Sequence, residues 1–253
     1  PKTAIVSLVE STKRAGFPAP DFYDIDMLLP HITDDDIENY FSSYKPIVIG
    51  LSAVTSTSYS QVKRIARIAR KVLPNSWIVM GGNLSASSEA VLKSTEVDIT
   101  VVGDGEIAWV KILDHVQKYP DRNNHETKAK LIDIKGVAFL DQKGVINLNG
   151  FGVAIPAEEM LYADYELLKT GLKDKPELIT NYLRPASEIG WFDFDERAQE
   201  KSRGKFLAGI YTSKGCVARC TFCQRSTKGY KTQPLEHLNN HLKYLKDNFN
   251  VGF

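Results

Sequence analysis

Nowhere in these 253 residues is there an apolar run long enough to cross a bilayer, so no membrane-spanning segment is expected. Nor is there an excess of charge of either sign. With 32 basic and 31 acidic side chains the net charge is +1, too small a field to attract a polyanion, which excludes nucleic acid as a default partner. The opening residues, PKTAIVSLVESTKRAG, lack the apolar core of a signal peptide. Cysteine is scarce as well: the chain has three, all within GCVARCTFC (215–223). Three clustered thiols build no disulfide framework, and a reducing cytoplasm is the expected location. Repeats and low-complexity tracts are also lacking. An initiator Met is missing, and the closing NFNVGF reads as a strand starting just after a helix, so the chain is expected to be a piece of a longer one.

What is present is an ordinary globular balance, 43% apolar and 25% charged, over a length that predicts two units. Apolar residues Ile5, Leu8, Val9 and Ala15 predict a helix over 4–15, stopped by Gly16. FYDIDMLL (22–29) alternates like a strand, and DDDIENYFSSY (34–44) opens with acids like a helix. PIVIGLSAV (46–54), SWIVMGG (76–82) and VDITVVG (97–103) are continuous apolar runs of the kind a parallel strand buried on both faces shows. Helical patterns follow them at 58–73, 87–95 and 106–119. Such alternation predicts an open parallel α/β sheet whose ligands bind beyond the carboxyl ends of the strands. A polar linker is expected from 120 to about 130, then a hairpin around DQKG, and little legible structure from 150 to 205. FLAGIYTS (206–213) restores a buried strand, and PLEHLNNHLKYLKDNF (234–249) a helix.

Cys216, Cys220 and Cys223 are spaced C-x3-C-x2-C on the loop between that strand and that helix. Three thiolates there can converge on one soft metal centre. An iron-sulfur cube held by three cysteines leaves one iron open to another ligand. The same thiols with His237 or His241, one helical turn apart, could instead hold zinc as a Cys3His site. The plainer readings are two histidines on a solvated helix face and three unliganded core cysteines. This stretch, with Gly215 before it and Phe222 before the last cysteine, resembles the cluster loop of radical S-adenosylmethionine (SAM) enzymes. The resemblance implies that Cys216, Cys220 and Cys223 ligate a [4Fe-4S] cluster whose open iron binds SAM, cleaved to a 5'-deoxyadenosyl radical. It further implies that Phe222 lies near the adenine of SAM, and that the loop follows the first strand of a (β/α) barrel.

GLSAVTSTS (50–58) and MGGN (80–83) stand at consecutive strand ends, where small residues let a flat ligand approach the backbone. They resemble the S-x-L/V and G-G signatures of cobalamin-binding domains, and VVGDGE (101–106) the third strand-end loop of radical SAM proteins with such a front domain. The implied cobalamin contacts are Ser52, Val54, Thr55, Gly81, Gly82, Asn83, Gly103 and Gly105. The D-x-H-x-x-G string that supplies a histidine ligand to cobalt in some members does not occur, and His31 and His115 read as ordinary surface or helix histidines.

Together these imply a flavodoxin-like or Rossmann-like cobalamin-binding domain over 1–120, a linker with a hairpin over 121–205, and the first strand-helix unit of a radical SAM barrel over 206–253. The implied cofactors are the [4Fe-4S] cluster, SAM and cobalamin, and the implied activity is a B12-dependent C-methyltransferase acting on an unactivated carbon. The alternatives are a cyclising, rearranging or carbon-coupling radical enzyme, or a cobalamin carrier or zinc module without catalysis. The implied partners are a small-molecule or peptide substrate and an electron donor such as flavodoxin or ferredoxin. Residues 1–253 alone are expected to leave the barrel open and to be inactive.

Overall fold

Charge and capping shape the first elements of the computed structural model, which describes residues 2–188, 204–218, 220–221 and 229–252. Helix α1 (Thr3–Arg14) buries Val6 and Val9. FYDIDMLL is not a strand: Asp24 caps a helical turn, α2 (Ile25–Leu28), by accepting from the Met27 amide at 3.3 Å, and Leu28 turns into the core. A local cap has overridden an alternating pattern. Helix α3 (Asp34–Tyr44) opens on a capping box in which Thr33 and Asp36 satisfy one another's backbone amides, with three acids in its first turn.

The predicted α/β alternation follows. Strand β1 (Val48–Ser52), helix α4 (Tyr59–Val72), strand β2 (Trp77–Gly81), helix α5 (Ser88–Ser94), strand β3 (Ile99–Val101) and helix α6 (Glu106–Lys118) run in order, and the three strands pair in parallel. Strand period explains the apolar runs. Ile78 and Met80 face one cluster with Ile65, Ala66 and Ile68 of α4, while Trp77 and Val79 face a second with Trp109 and Ile112 of α6. Fully burying such a side chain is worth about 1.5–3 kcal/mol, and both faces of β2 contribute.

After the short helix α7 (His125–Ala129), DQKG forms the expected turn between β4 (Val137–Leu140) and β5 (Ile146–Leu148). Asp141 fastens it by accepting from the Lys143 and Val145 amides at 2.8 and 2.9 Å. β4 lies antiparallel to β3, so the five-stranded sheet is mixed rather than wholly parallel, in the order β1-β2-β3-β4-β5. The hairpin expected within a linker thus extends the front sheet.

The rear begins with helix α8 (Tyr165–Thr170) and strand β6 (Leu183–Pro185), which pairs antiparallel with β7 (Phe206–Ala208). FLAGIYTS is therefore not one buried strand. It breaks after Ala208, where the Gly209 carbonyl accepts from the Tyr165 hydroxyl at 3.2 Å and Tyr211 donates to the Leu161 carbonyl. The chain re-forms as β8 (Ser213–Cys216), antiparallel to β9 (Gly229–Thr232), before helix α9 (Leu235–Phe249). Phe206 then bridges Val251 in parallel, so β7, α9 and Val251 form the expected strand-helix unit. A third cluster, including Val6, Phe22, Tyr165, Leu168, Leu183 and Leu245, ties α1 to this rear region. Among the described residues no helix is long and apolar enough to cross a membrane.

Candidate functional site

Because β1, β2 and β3 are parallel, their carboxyl ends open on one edge of the sheet. Ser52 and Gly81 are register partners at that edge. The loops beyond them are stitched together: the Ala53 amide donates to the Gly81 carbonyl at 3.0 Å, and the Leu84 amide to the Ala53 carbonyl at 3.1 Å. Gly82 is required by this stitch, since its φ is +91° and a Cβ there would lie 2.3 Å from the Ala53 carbonyl oxygen. Gly81 is different, because a Cβ would meet nothing within 4 Å. Ser52, Val54, Thr55, Gly82 and Asn83 are exposed around it, Val54 at 61%, an apolar side chain left on an otherwise polar rim. The Thr55 hydroxyl shares hydrogen bonds with Thr57 and Ser58 at 2.7 and 3.3 Å. An open cradle of small residues with one exposed aliphatic side chain fits the flat, partly apolar body of a corrin.

The loop after β3 is built differently. Gly103, with φ +101°, bridges Gly152, and a Cβ on Gly152 would lie 2.1 Å from the Asp104 carbonyl oxygen. Gly105 caps α6. Gly105 leads into α6 at the same carboxyl edge of the sheet as 52–55 and 81–83, and Gly103 and Gly152 serve close backbone packing. The acids between them carry the chemistry: Lys214 of β8 forms ion pairs with Asp104 and, at 3.2 Å, with Glu106, whose Oε1 also accepts from the Ser7 hydroxyl at 2.8 Å. Both carboxylates are buried, Asp104 at 3% exposure. Burial pushes the Glu106 carboxyl up, but the Lys214 ammonium and the Ser7 hydroxyl outweigh it and hold its pKa below the ordinary value. For Lys214, burial pulls the ammonium down, while Glu106 and Asp104 hold its pKa above the ordinary value. Sequence reading missed Lys214 and Ser7, and valued GDGE for its glycines. The only available signal was a lysine two residues before the first cysteine.

Lys214 sits in the strand that delivers Cys216. Gly215 has φ +94°, and a Cβ there would lie 2.2 Å from the Gly229 carbonyl oxygen, so only glycine lets β8 and β9 close beside the thiols. Cys216 and Cys220 are exposed and in no disulfide, which suits ligands facing a cavity. The Ala218 amide donates to Cys216 Sγ at 3.4 Å. Two soft donors on one turn fit the expected iron-sulfur chemistry, while Cys223 and Phe222 lie outside the described residues.

The histidines divide. His31 is exposed, as expected, but His115 is buried, its ring edge-on to Trp77, and burial, with Lys130 nearby, lowers its pKa. His241 does not lie on a solvated face: it is 1% exposed and stacks on Tyr162 at 4.5 Å, and burial lowers its pKa too. Its surroundings are aromatic, with Tyr244 6.5 Å from the His241 ring and 5.7 Å from Tyr162. Among the described residues no three His, Cys, Asp or Glu side chains gather as a metal site.

A parallel-edged α/β sheet with a small-residue cradle is thus clasped to a cysteine hairpin, the arrangement that the resemblance to cobalamin-binding radical SAM proteins implies. Comparison with known proteins bears out that resemblance. Residues 1–113 match the family model of the B12 binding domain. The chain is 22% identical over 209 residues to cytidylyl-2-hydroxyethylphosphonate methyltransferase of Streptomyces wedmorensis, covering 76% of this chain and 35% of that protein. It is 24% identical over 204 residues to an uncharacterised methyltransferase of Pyrococcus horikoshii, covering 80% and 36%. It thus spans about a third of the length of these relatives. Its fold is that of the cobalamin-dependent SAM radical enzyme OxsB, solved with aqua-cobalamin and SAM bound, at TM-score 0.70 and 17% identity over 99% of this chain and 30% of the other. It also matches the radical SAM methyltransferase TsrM of Kitasatospora setae, solved with tryptophan and a SAM analogue, at TM-score 0.61 and 16% identity over 96% and 42%.

Proposed function

We propose that this chain is the cobalamin-binding front and the cluster-bearing start of a B12-dependent radical SAM methyltransferase that acts on an unactivated carbon. The observation that carries the reading is the joint at Lys214, which clasps the cysteine hairpin to the same sheet edge that presents the cradle around Gly81. Cys216 and Cys220, with Cys223, would hold a [4Fe-4S] cluster, with Phe222 beside SAM; Ser52, Val54, Thr55, Gly81, Gly82 and Asn83 would hold cobalamin. When bound, the cluster and SAM supply a carbon-centred radical and the cobalamin supplies the methyl group. The residues of this chain then bind and orient. The Gly81 cradle would set how closely the corrin approaches the sheet, the β8–β9 pairing that Gly215 permits would aim the thiols, and the buried clasp would fix one against the other.

The relatives' printed activity, methyl transfer, supports this assignment over cyclisation or rearrangement. The substrate is left as a small molecule or peptide. A reducing cytoplasm agrees with three cysteines clustered within nine residues, and a flavodoxin-type or ferredoxin-type protein would supply the electron. Anaerobic reconstitution tests the reading: the chain is expected to take up about four irons and to bind cobalamin with a corrin absorbance spectrum. Stoichiometric zinc without iron would overturn it.

A further inference from the structure

Lys214 is the contact through which the cysteine hairpin touches buried charge. Its ammonium lies between two carboxylates of the loop after β3, Asp104 and Glu106, and the Ser7 hydroxyl of α1 donates to the same Glu106 Oε1 that the ammonium contacts. Two carboxylates face one ammonium, and Glu106 Oε2 is buried without a hydrogen-bond donor among the described residues. Removing the lysine would leave two buried acids uncompensated, a costly arrangement that makes the cation's position strict rather than approximate. On the opposite strand, Lys231 donates to the Ile155 carbonyl. The hairpin is therefore held at both strands, by charge toward the front sheet and by a backbone carbonyl toward the segment leaving it.

We propose that Lys214 is a positioning residue: by locking β8 to Asp104 and Glu106 it fixes the separation between Cys216 and the cradle around Gly81, and so the gap across which the two cofactors work. This rests on the reading given under Proposed function. The bond acts along the strand, because Lys214 and Cys216 are separated only by Gly215 and a strand transmits displacement of one residue to the next. A lysine pinned by two acids fixes that strand along its own axis as well as across it. The close approach of Gly215 to Gly229 alone would leave it free to slide.

The test uses the full chain loaded with cobalamin and reconstituted cluster, comparing wild type with Lys214→Met, Lys214→Arg and Asp104→Asn. The magnetic coupling between cob(II)alamin and the reduced cluster reports their separation. It is expected to weaken and broaden in Lys214→Met and Asp104→Asn at unchanged iron and corrin content, and to recover in Lys214→Arg. Amide hydrogen exchange of residues 213–216 and 229–232, which needs no cofactor, is expected to quicken about tenfold in Lys214→Met, while β2 keeps its protection. Coupling and hairpin exchange both identical to wild type in Lys214→Met and Asp104→Asn would overturn the proposal. If Lys214→Met fails to fold, Asp104→Asn decides by the same readouts. Wild type that takes up neither iron nor corrin defeats the functional reading instead, and the exchange arm still decides whether the clasp holds the hairpin.

Discussion

The front sheet and the rear hairpin are built on opposite terms. β2 and β3 are buried on both faces between two hydrophobic clusters, whereas β8 and β9 are half-buried at best and owe their place to a lysine, two acids and a glycine pair. Packing fixes the first and charge with backbone clearance fixes the second. A scaffold held by packing tolerates chemistry at its rim, and a hairpin held by a few polar contacts can present thiols without covering them. Stability and reactivity are thus kept in separate places.

The sharpest way to test that separation is Cys216→Ala. It is expected to lower iron content at least tenfold, while the thermal midpoint and corrin uptake stay at wild-type values, by iron assay, thermal denaturation and corrin absorbance. A large fall in the midpoint would show that the hairpin supports the fold after all. Next in size is a pair of core truncations. Met80→Ala, at a fully buried site, should cost about 2–5 kcal/mol in urea unfolding, and Leu207→Ala, on the half-buried β7, under about 1.5 kcal/mol. Equal costs would erase the contrast.

Two adjacent glycines refine it at the rim. Gly82→Ala should destabilise by about 1–3 kcal/mol because both its φ and the Ala53 carbonyl forbid a Cβ. Gly81→Val should leave stability within about 0.5 kcal/mol, since its Cβ points into open space, yet weaken cobalamin binding about tenfold or more. Unchanged affinity in an equilibrium titration would move the corrin elsewhere. The smallest effect concerns His241. Burial holds its folded pKa below the ordinary 6.5, so the unfolded chain binds the proton more readily; its contribution is present above about pH 6.5 and lost as pH falls through the lowered folded value. His241→Phe keeps the stack on Tyr162 and should flatten part of the stability loss as pH falls below about 6.5, leaving the share of His115.

How much of this could be read from the amino-acid sequence follows the same division. VIGLS, WIVMG and ITV announce themselves because burial on both faces demands unbroken apolar residues, and the hairpin at DQKG because its turn demands Asp and Gly. SKGC and GYKT carry no such periodicity, so β8 and β9 were invisible, and FLAGIYTS looked like one strand although a hydrogen bond to Gly209 interrupts it. His241 looked solvated because its neighbour across the stack, Tyr162, lies 79 residues away in an unpatterned segment. The thiols and the Gly81 cradle were legible from spacing and residue type. Lys214 was not, because a lysine paired across 108 residues looks in sequence like any other.

Helix α1 makes most of its contacts with residues far along the chain. Ser7 reaches Glu106, Thr12 accepts from the Trp109 indole at 2.8 Å, and Val6 shares a cluster with Leu245. During synthesis at about 5–20 residues per second, roughly 5–20 s pass between translation of α1 and that of its first partners on α6, and longer before Leu245 is made. Throughout that interval Val6 and Val9 lack the surfaces of α6 and of the rear against which α1 packs. The helix that unites the two regions is therefore the element most exposed to capture by chaperones or by other nascent chains, and its docking is the step at which folding of the front is committed to folding of the rear.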